Sequence, residues 1–211
     1  MPRDYATDAA LRPQPKRDGP DHWSTPDCLA AALVKHILPS LPRAPIWEPA
    51  AGDGALVRAI EATGHRVFPT DICTGQDFLT ASPPPVCQSL VSNPPFNRLD
   101  QFLRRAVELV ESPANSLIAA VLLLRWDALT ARGRALVLQR ARQVHVCTWR
   151  PRWIADSTTS PRWSFCWVTW RRGSSGPPTL HFVKRGAPNT RPTRVEACRW
   201  GLKGHDAHVV S

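Results

Sequence analysis

Several things are scarce or absent in this 211-residue chain. It has no long hydrophobic run: the longest, at 117–124, is far too short to cross a bilayer, which excludes a transmembrane helix as the organising element. Residues 1–20 are polar and proline-bearing with no apolar core, so a secretory leader is not expected and a cytoplasmic protein is. The six cysteines are scattered and none forms a Cys-x-x-Cys pair, which argues against a structural zinc site and fits reduced thiols packed as small core residues. A Gly-x-Gly-x-x-Gly fingerprint and the Gly-Lys-Ser/Thr of a phosphate loop are both missing. Acidic residues are few where basic ones abound. Between positions 125 and 172 there are ten arginines and no lysine, against Asp127 and Asp156 alone. With a net charge of +10, this imbalance points to a polyanionic partner, most simply nucleic acid. A GC-rich coding bias explains arginine in place of lysine but not the shortage of acids.

The length suits one domain with a real core. Residues 1–20 read as a flexible arm, 21–185 as the folded domain and 186–211 as a basic, extended tail. Ser24-Thr25-Pro26 is a helix start, with a hydroxyl to cap it and Asp27 to suit the dipole; Leu29, Leu33, Val34 and Ile37 supply an apolar face. Strands are expected at 46–47, 66–70, 86–92, 116–124, 144–148, 163–170 and 180–184. Helices are expected after Gly54, over 99–110 and over 128–142. Strands alternating with helices imply an α/β sheet covered on both faces, and the unbroken apolar run at 116–124 belongs in its middle.

Open α/β sheets bind ligands where their strands end, and the chemistry-bearing residues cluster there. Glu48-Pro49-Ala50-Ala51-Gly52-Asp53-Gly54 follows the first strand; its small residues let a ligand approach the backbone, and an ordinary turn does not explain the preceding Glu. Asp71 ends the second strand, where an acid can accept both hydroxyls of a ribose or simply cap a helix. Asp77-Phe78 offers an acceptor for an exocyclic amine beside a ring that packs on a purine. Asn93-Pro94-Pro95-Phe96 follows the third strand. Two prolines fix the backbone and remove two donors. Carbonyls and one amide remain beside an aromatic ring, a set that accepts hydrogen bonds from an amino group on a flat substrate. A plain proline turn capping a strand is the alternative for this tetrapeptide taken alone.

In their order, Ser24-Thr25-Pro26, Glu48 to Gly54, Asp71, Asp77-Phe78-Leu79 and Asn93-Pro94-Pro95-Phe96 resemble the motifs of S-adenosylmethionine-dependent N6-adenine DNA methyltransferases, in the small orphan form of phages and mobile elements. The resemblance covers about residues 23–172 and is specific through the set rather than through any member. It implies a Rossmann-like class I methyltransferase fold: a mostly parallel seven-stranded sheet with a reversed last hairpin and helices on both faces. It implies S-adenosylmethionine as cofactor, no metal, and a monomer or weak dimer. By the same resemblance Thr25 helps hold the methionyl carboxylate, and Glu48, Pro49, Ala50 and Gly52 line the methionine part. Asp71 takes the ribose, and Asp77 and Phe78 take the adenine. Asn93 and the Pro94 carbonyl hold the target amine within the turn that Pro95 completes, and Phe96 stacks on the target base.

The stretch from Trp149 to Trp163 interleaves Arg and Trp with hydroxyls. Arg125 and Trp126 follow the apolar run at the sheet edge that bears Asn93, and together with Arg150, Arg152, Trp153 and Arg162 they are the expected nucleic-acid contacts. The loop itself does not separate DNA from RNA; it is the resemblance that favours DNA. Packing of Trp149, Trp153 and Trp163 is the competing reading. His205 and His208 read as a solvated tail rather than a metal site. Two other functions keep the fold: methylation of RNA or of a protein glutamine amide, and nucleic-acid binding without catalysis.

Overall fold

A computed structural model describes residues 23–153 and 162–185. The expected arm at 1–20, the hydroxyl-rich stretch at 157–160 and the tail with its His205/His208 pair lie outside the described residues. A seven-stranded sheet organises the chain: β1 (Ile46–Glu48), β2 (Val67–Pro69), β3 (Ser89–Ser92), β4 (Ala119–Arg125), β5 (Gln143–Cys147), β6 (Phe165–Arg171) and β7 (Thr179–Val183), in the order β2-β1-β3-β4-β6-β5-β7. β6 is the reversed strand: it lies antiparallel between β4 and β5, and β7 returns to the common direction beside β5. The other neighbours pair in parallel, so β1, β2 and β3 all end at one edge.

Alternation along β4 builds two cores. Ala119, Val121 and Leu123 face the layer of α1 (Asp27–His36) and α2 (Ala55–Glu61), together with Phe165 and Trp167 of β6. Ala120, Leu122 and Leu124 face α3 (Leu99–Glu111), whose Phe102, Leu103, Ala106 and Val110 are buried. A strand covered on both faces has no need for polar residues, hence the unbroken apolar run. The buried indoles find acceptors across elements: Trp167 Nε1 donates to the Leu29 carbonyl at 3.0 Å and Trp170 Nε1 to that of Val137 at 2.9 Å. Burial pushes the Cys87 thiol up to about 11 and the Cys147 thiol up to about 12, so both are inert packing groups.

Two local expectations are corrected. No hydroxyl caps α1; Pro26 is its N-cap and no side chain bonds there, which leaves Thr25 at the sheet edge. The helix expected over 128–142 is broken into 3-10 turns at Trp126–Thr130 and Arg132–Arg134 and a single turn, α4 (Ala135–Leu138). Gly133 interrupts the segment, and its apolar residues do not fall on one stripe: Leu136 is 79% exposed. Among the described residues no helix is long and apolar enough to cross a membrane.

Candidate active site

The neighbouring ends of β1 and β3 bring two polar groups together inside the protein. Glu48 is 1% exposed; its Oε1 accepts from Ser92 Oγ at 2.7 Å and from the Ala50 amide at 3.1 Å, and its Oε2 has no partner. Burial drives this carboxyl up to about 8, while the bonds from Ser92 and Ala50 pull it down and Asp71 adds to the rise. Once ionised, a buried acid with one unmet oxygen can receive a cation.

The turn after β1 is held by β2. Gly52, at φ +53°, presents its amide to Asp71 Oδ2 at 2.9 Å, and Asp71 Oδ1 accepts from the Cys73 amide at 2.8 Å. Asp71 therefore does cap a short turn, and it is buried between the two backbone amides that bond its oxygens. Gly54, at φ +78°, starts α2. Around these residues runs a cavity of about 590 Å³. Ten of the twelve residues expected at the cofactor and the reacting amine line it: Thr25, Glu48, Pro49, Ala50, Gly52, Asp71, Asp77, Phe78, Asn93 and Pro95.

Two features at the far end differ from expectation. Asp77 Oδ1 accepts from the Leu79 amide at 3.0 Å and Oδ2 pairs with Arg98 at 3.0 Å. These bonds, the Leu79 amide foremost, hold its carboxyl below the usual range. Arg98 was not expected, because only folding brings a residue 21 positions away onto Asp77. Phe78 is 1% exposed and wedged between Trp47 and Phe102, with ring centres 5.4 and 4.7 Å away, so it forms the cavity floor rather than a free stacking plate.

Past Ser92 the chain turns through Asn93. Asn93 Nδ2 donates to the Trp23 carbonyl at 3.1 Å, which fixes the amide plane, and its buried Oδ1 has no partner. Pro94 is buried and Pro95 lines the cavity. Phe96 lies outside the cavity and packs near Phe165 and Trp153, ring centres 6.3 and 5.8 Å apart.

The expected basic face is only partly a face. Arg150, Arg152 and Arg162 are exposed, and Trp126 is 38% exposed. Arg125 is bound to Asp127 and lies 3.5 Å over the Trp163 ring. Trp153 is half-buried among aromatic rings, and Trp149 packs with its indole N–H on Cys28 Sγ at 3.3 Å. The arginine excess also has structural uses that counting missed. Arg172 donates to the carbonyls of Val110, Ser112, Asn115 and Leu117, and Arg134 and Arg140 pair with Asp100 and Glu111.

No protein-family model matches the sequence, and no curated protein does either. Solved structures do. A candidate RNA methyltransferase from Pyrococcus horikoshii is similar with a TM-score of 0.53 at 11% identity, over 72% of this chain and 86% of that one. A candidate class I S-adenosylmethionine-dependent methyltransferase from Listeria monocytogenes is similar with a TM-score of 0.52 at 13% identity, over 85% of this chain and 69% of that one. At such identities the likeness is one of architecture: the chain has a Rossmann-like class I methyltransferase fold.

Proposed function

We propose that this protein transfers a methyl group from S-adenosylmethionine to the exocyclic N6 amine of an adenine flipped out of DNA. The observation that carries the reading is Asn93: a buried amide oxygen without a partner, fixed by Trp23, at the end of the strand beside Glu48 and its cavity.

The residues present fit the cofactor. The unmet Glu48 Oε2 suits its positive amino-acid end, Thr25 its carboxylate, Asp71 its ribose, and Asp77 over the Phe78 floor its adenine. Bound there, S-adenosylmethionine supplies a methyl already activated by positive sulfur. The chain's task is to prepare the acceptor. An adenine N6 is a poor nucleophile because its lone pair is delocalised into the ring. The Asn93 Oδ1 and the Pro94 carbonyl would accept hydrogen bonds from its two N–H groups and localise that pair, and the methylated nitrogen would shed one proton to solvent, so catalysis is positioning by preorganised dipoles. A base inside a duplex cannot reach this turn and must leave the stack. Arg150, Arg152 and Arg162, which are exposed, are the groups that would hold the phosphates.

The test is transfer of label from S-adenosylmethionine to unmethylated duplex DNA, to transfer RNA and to a protein bearing an accessible glutamine, followed by identification of the modified unit. N6-methyladenine in DNA is the expected product. Label confined to RNA or to a glutamine amide overturns the substrate, and no label with a bound cofactor leaves a binding protein.

A further inference from the structure

The substrate base of the preceding reading is expected at Phe96, and Trp153 packs against that ring. Its indole packs edge-on to Phe96 with ring centres 5.8 Å apart, and against Phe165 at 5.0 Å and Trp23 at 6.0 Å. Two of these partners are tied to Asn93. Phe96 follows it around the proline turn, and the Trp23 carbonyl holds its amide. The aromatic cluster and the unmet Asn93 oxygen therefore belong to one locality.

The polar edge of this indole is out of keeping with its neighbours. Trp47, Trp167 and Trp170 each donate Nε1–H to an oxygen, as buried tryptophans do. Trp153 Nε1 is buried with no partner. Indole is a donor only, so nothing else compensates for the lost water. The three rings surround the apolar body of a fused bicycle and leave this particular edge unmet. Leaving these rings restores water or a phosphate oxygen to the N–H, which offsets part of the apolar contact that the indole gives up. A purine is a fused bicycle of similar area, and its polar edge would arrive beside Asn93.

We infer that Trp153 is a place-holder: in the free protein its indole fills the aromatic seat of the target base, and an incoming purine displaces it. This rests on the proposed function and adds a positioning residue and a preference for purine over pyrimidine. A seat shaped by an indole leaves a single-ring base loosely held and the exchange incomplete.

The test needs no recognition sequence. The full chain is labelled with 5-fluorotryptophan and saturated with S-adenosylhomocysteine so that the cofactor cavity is filled. The Trp153 fluorine resonance is assigned with Trp153→Phe. Short single strands of deoxyadenosine, of deoxycytidine and of abasic residues are added, with occupancy followed by fluorescence anisotropy. At equal occupancy the deoxyadenosine strand is expected to shift the Trp153 resonance and the other two to leave it in place. In parallel, Trp153→Leu is expected to bind the deoxyadenosine strand about fivefold more tightly, the gain from removing a competing closed state. An unmoved resonance with the deoxyadenosine strand bound overturns the inference, as does weaker binding by Trp153→Leu, which marks a clamp or a structural ring. An equal shift with deoxycytidine overturns the purine preference. If no strand binds, the nucleic-acid reading itself falls, and the place-holder with it.

Discussion

Ser92 Oγ donates a 2.7 Å hydrogen bond to Glu48 Oε1, joining the last residue of β3 to the last residue of β1. Both side chains are buried, and the next residue after Ser92 is Asn93. The acid that would receive the cofactor and the amide that would hold the acceptor amine are thus fastened to each other. Removing the hydroxyl strips one of the two bonds that favour the charged carboxylate. Ser92→Ala is expected to weaken S-adenosylmethionine binding about tenfold, the worth of one hydrogen bond to a charged group. Isothermal titration calorimetry checks it, and unchanged affinity would show that Glu48 is held by its backbone bond alone.

Affinity should also depend on pH. With its carboxyl raised to about 8, Glu48 is mostly neutral at pH 6 and must lose a proton to meet a cation. S-adenosylmethionine is expected to bind more tightly as pH rises from 6 to 8, with proton release visible as a buffer-dependent heat. Glu48→Gln should bind more weakly throughout and abolish both the slope and the buffer dependence.

Two buried groups act on stability with opposite signs. Glu48 holds its proton more tightly folded than unfolded, so stability falls as pH rises from 4.5 to about 8. His145, 6% exposed, stacks on His181 with ring centres 4.6 Å apart. Burial, then His181 and His36, push it down from 6.5 to about 4, so its share of stability is whole above 6.5 and is lost as pH falls to about 4. Each slope amounts to at most about 1.4 kcal/mol per pH unit. Between 4.5 and 6.5 they offset each other. Thermal melts of Glu48→Gln should therefore rise more steeply with pH across that window than those of the parent. Parallel pH profiles for the two proteins would refute the assignment.

Asn93→Ala is expected to lower the methyl-transfer rate constant by about 10²–10³, the usual effect of losing one preorganised polar group. Cofactor affinity should hold within a few fold, because Glu48 and Asp71 are untouched. Single-turnover rates and calorimetry separate the two effects. Full activity in this variant ends the proposed mechanism.

Gly52→Ala tests the turn that presents an amide to Asp71. No atom lies within 4 Å of the added Cβ, but φ is +53°. The left-handed conformation costs an L-residue about 1–2 kcal/mol. The melting temperature is expected to fall by roughly 2–8 °C on that ground, with weaker cofactor binding. A melting temperature that does not move would place the turn under no conformational demand.

The strand ends were legible in the sequence because each is a local event: an apolar run stops at Glu48, Asp71 or Asn93, and a parallel sheet collects such stops at one edge. Illegible were the partnerships that depend on which strands become neighbours. Ser92 looked like the tail of an apolar run, and its bond to Glu48 exists only because β1 and β3 are adjacent. Arg98 gave no signal of its ion pair with Asp77. The 128–142 segment is rich in helix formers, and composition concealed the lack of a stripe. The arginine count reads as a surface because the carbonyls around Arg172 and the carboxylates beside Arg134 and Arg140 are brought to them only by the fold.

The reversed strand carries a consequence for how the chain reaches this state. β6 pairs with β4 along seven residues, and Trp167 within it bonds back to Leu29, 138 positions earlier. The interior edge of β4 therefore waits for nearly the last described segment, and helix α1 lacks its bond to Trp167 until then. Closing such long loops is slow and leaves an apolar strand edge bare meanwhile. During synthesis the ribosome must release β6 before the half that carries Glu48, Asp71 and Asn93 is secure. A chain stopped short of position 165 is expected to aggregate rather than to persist as a smaller catalyst.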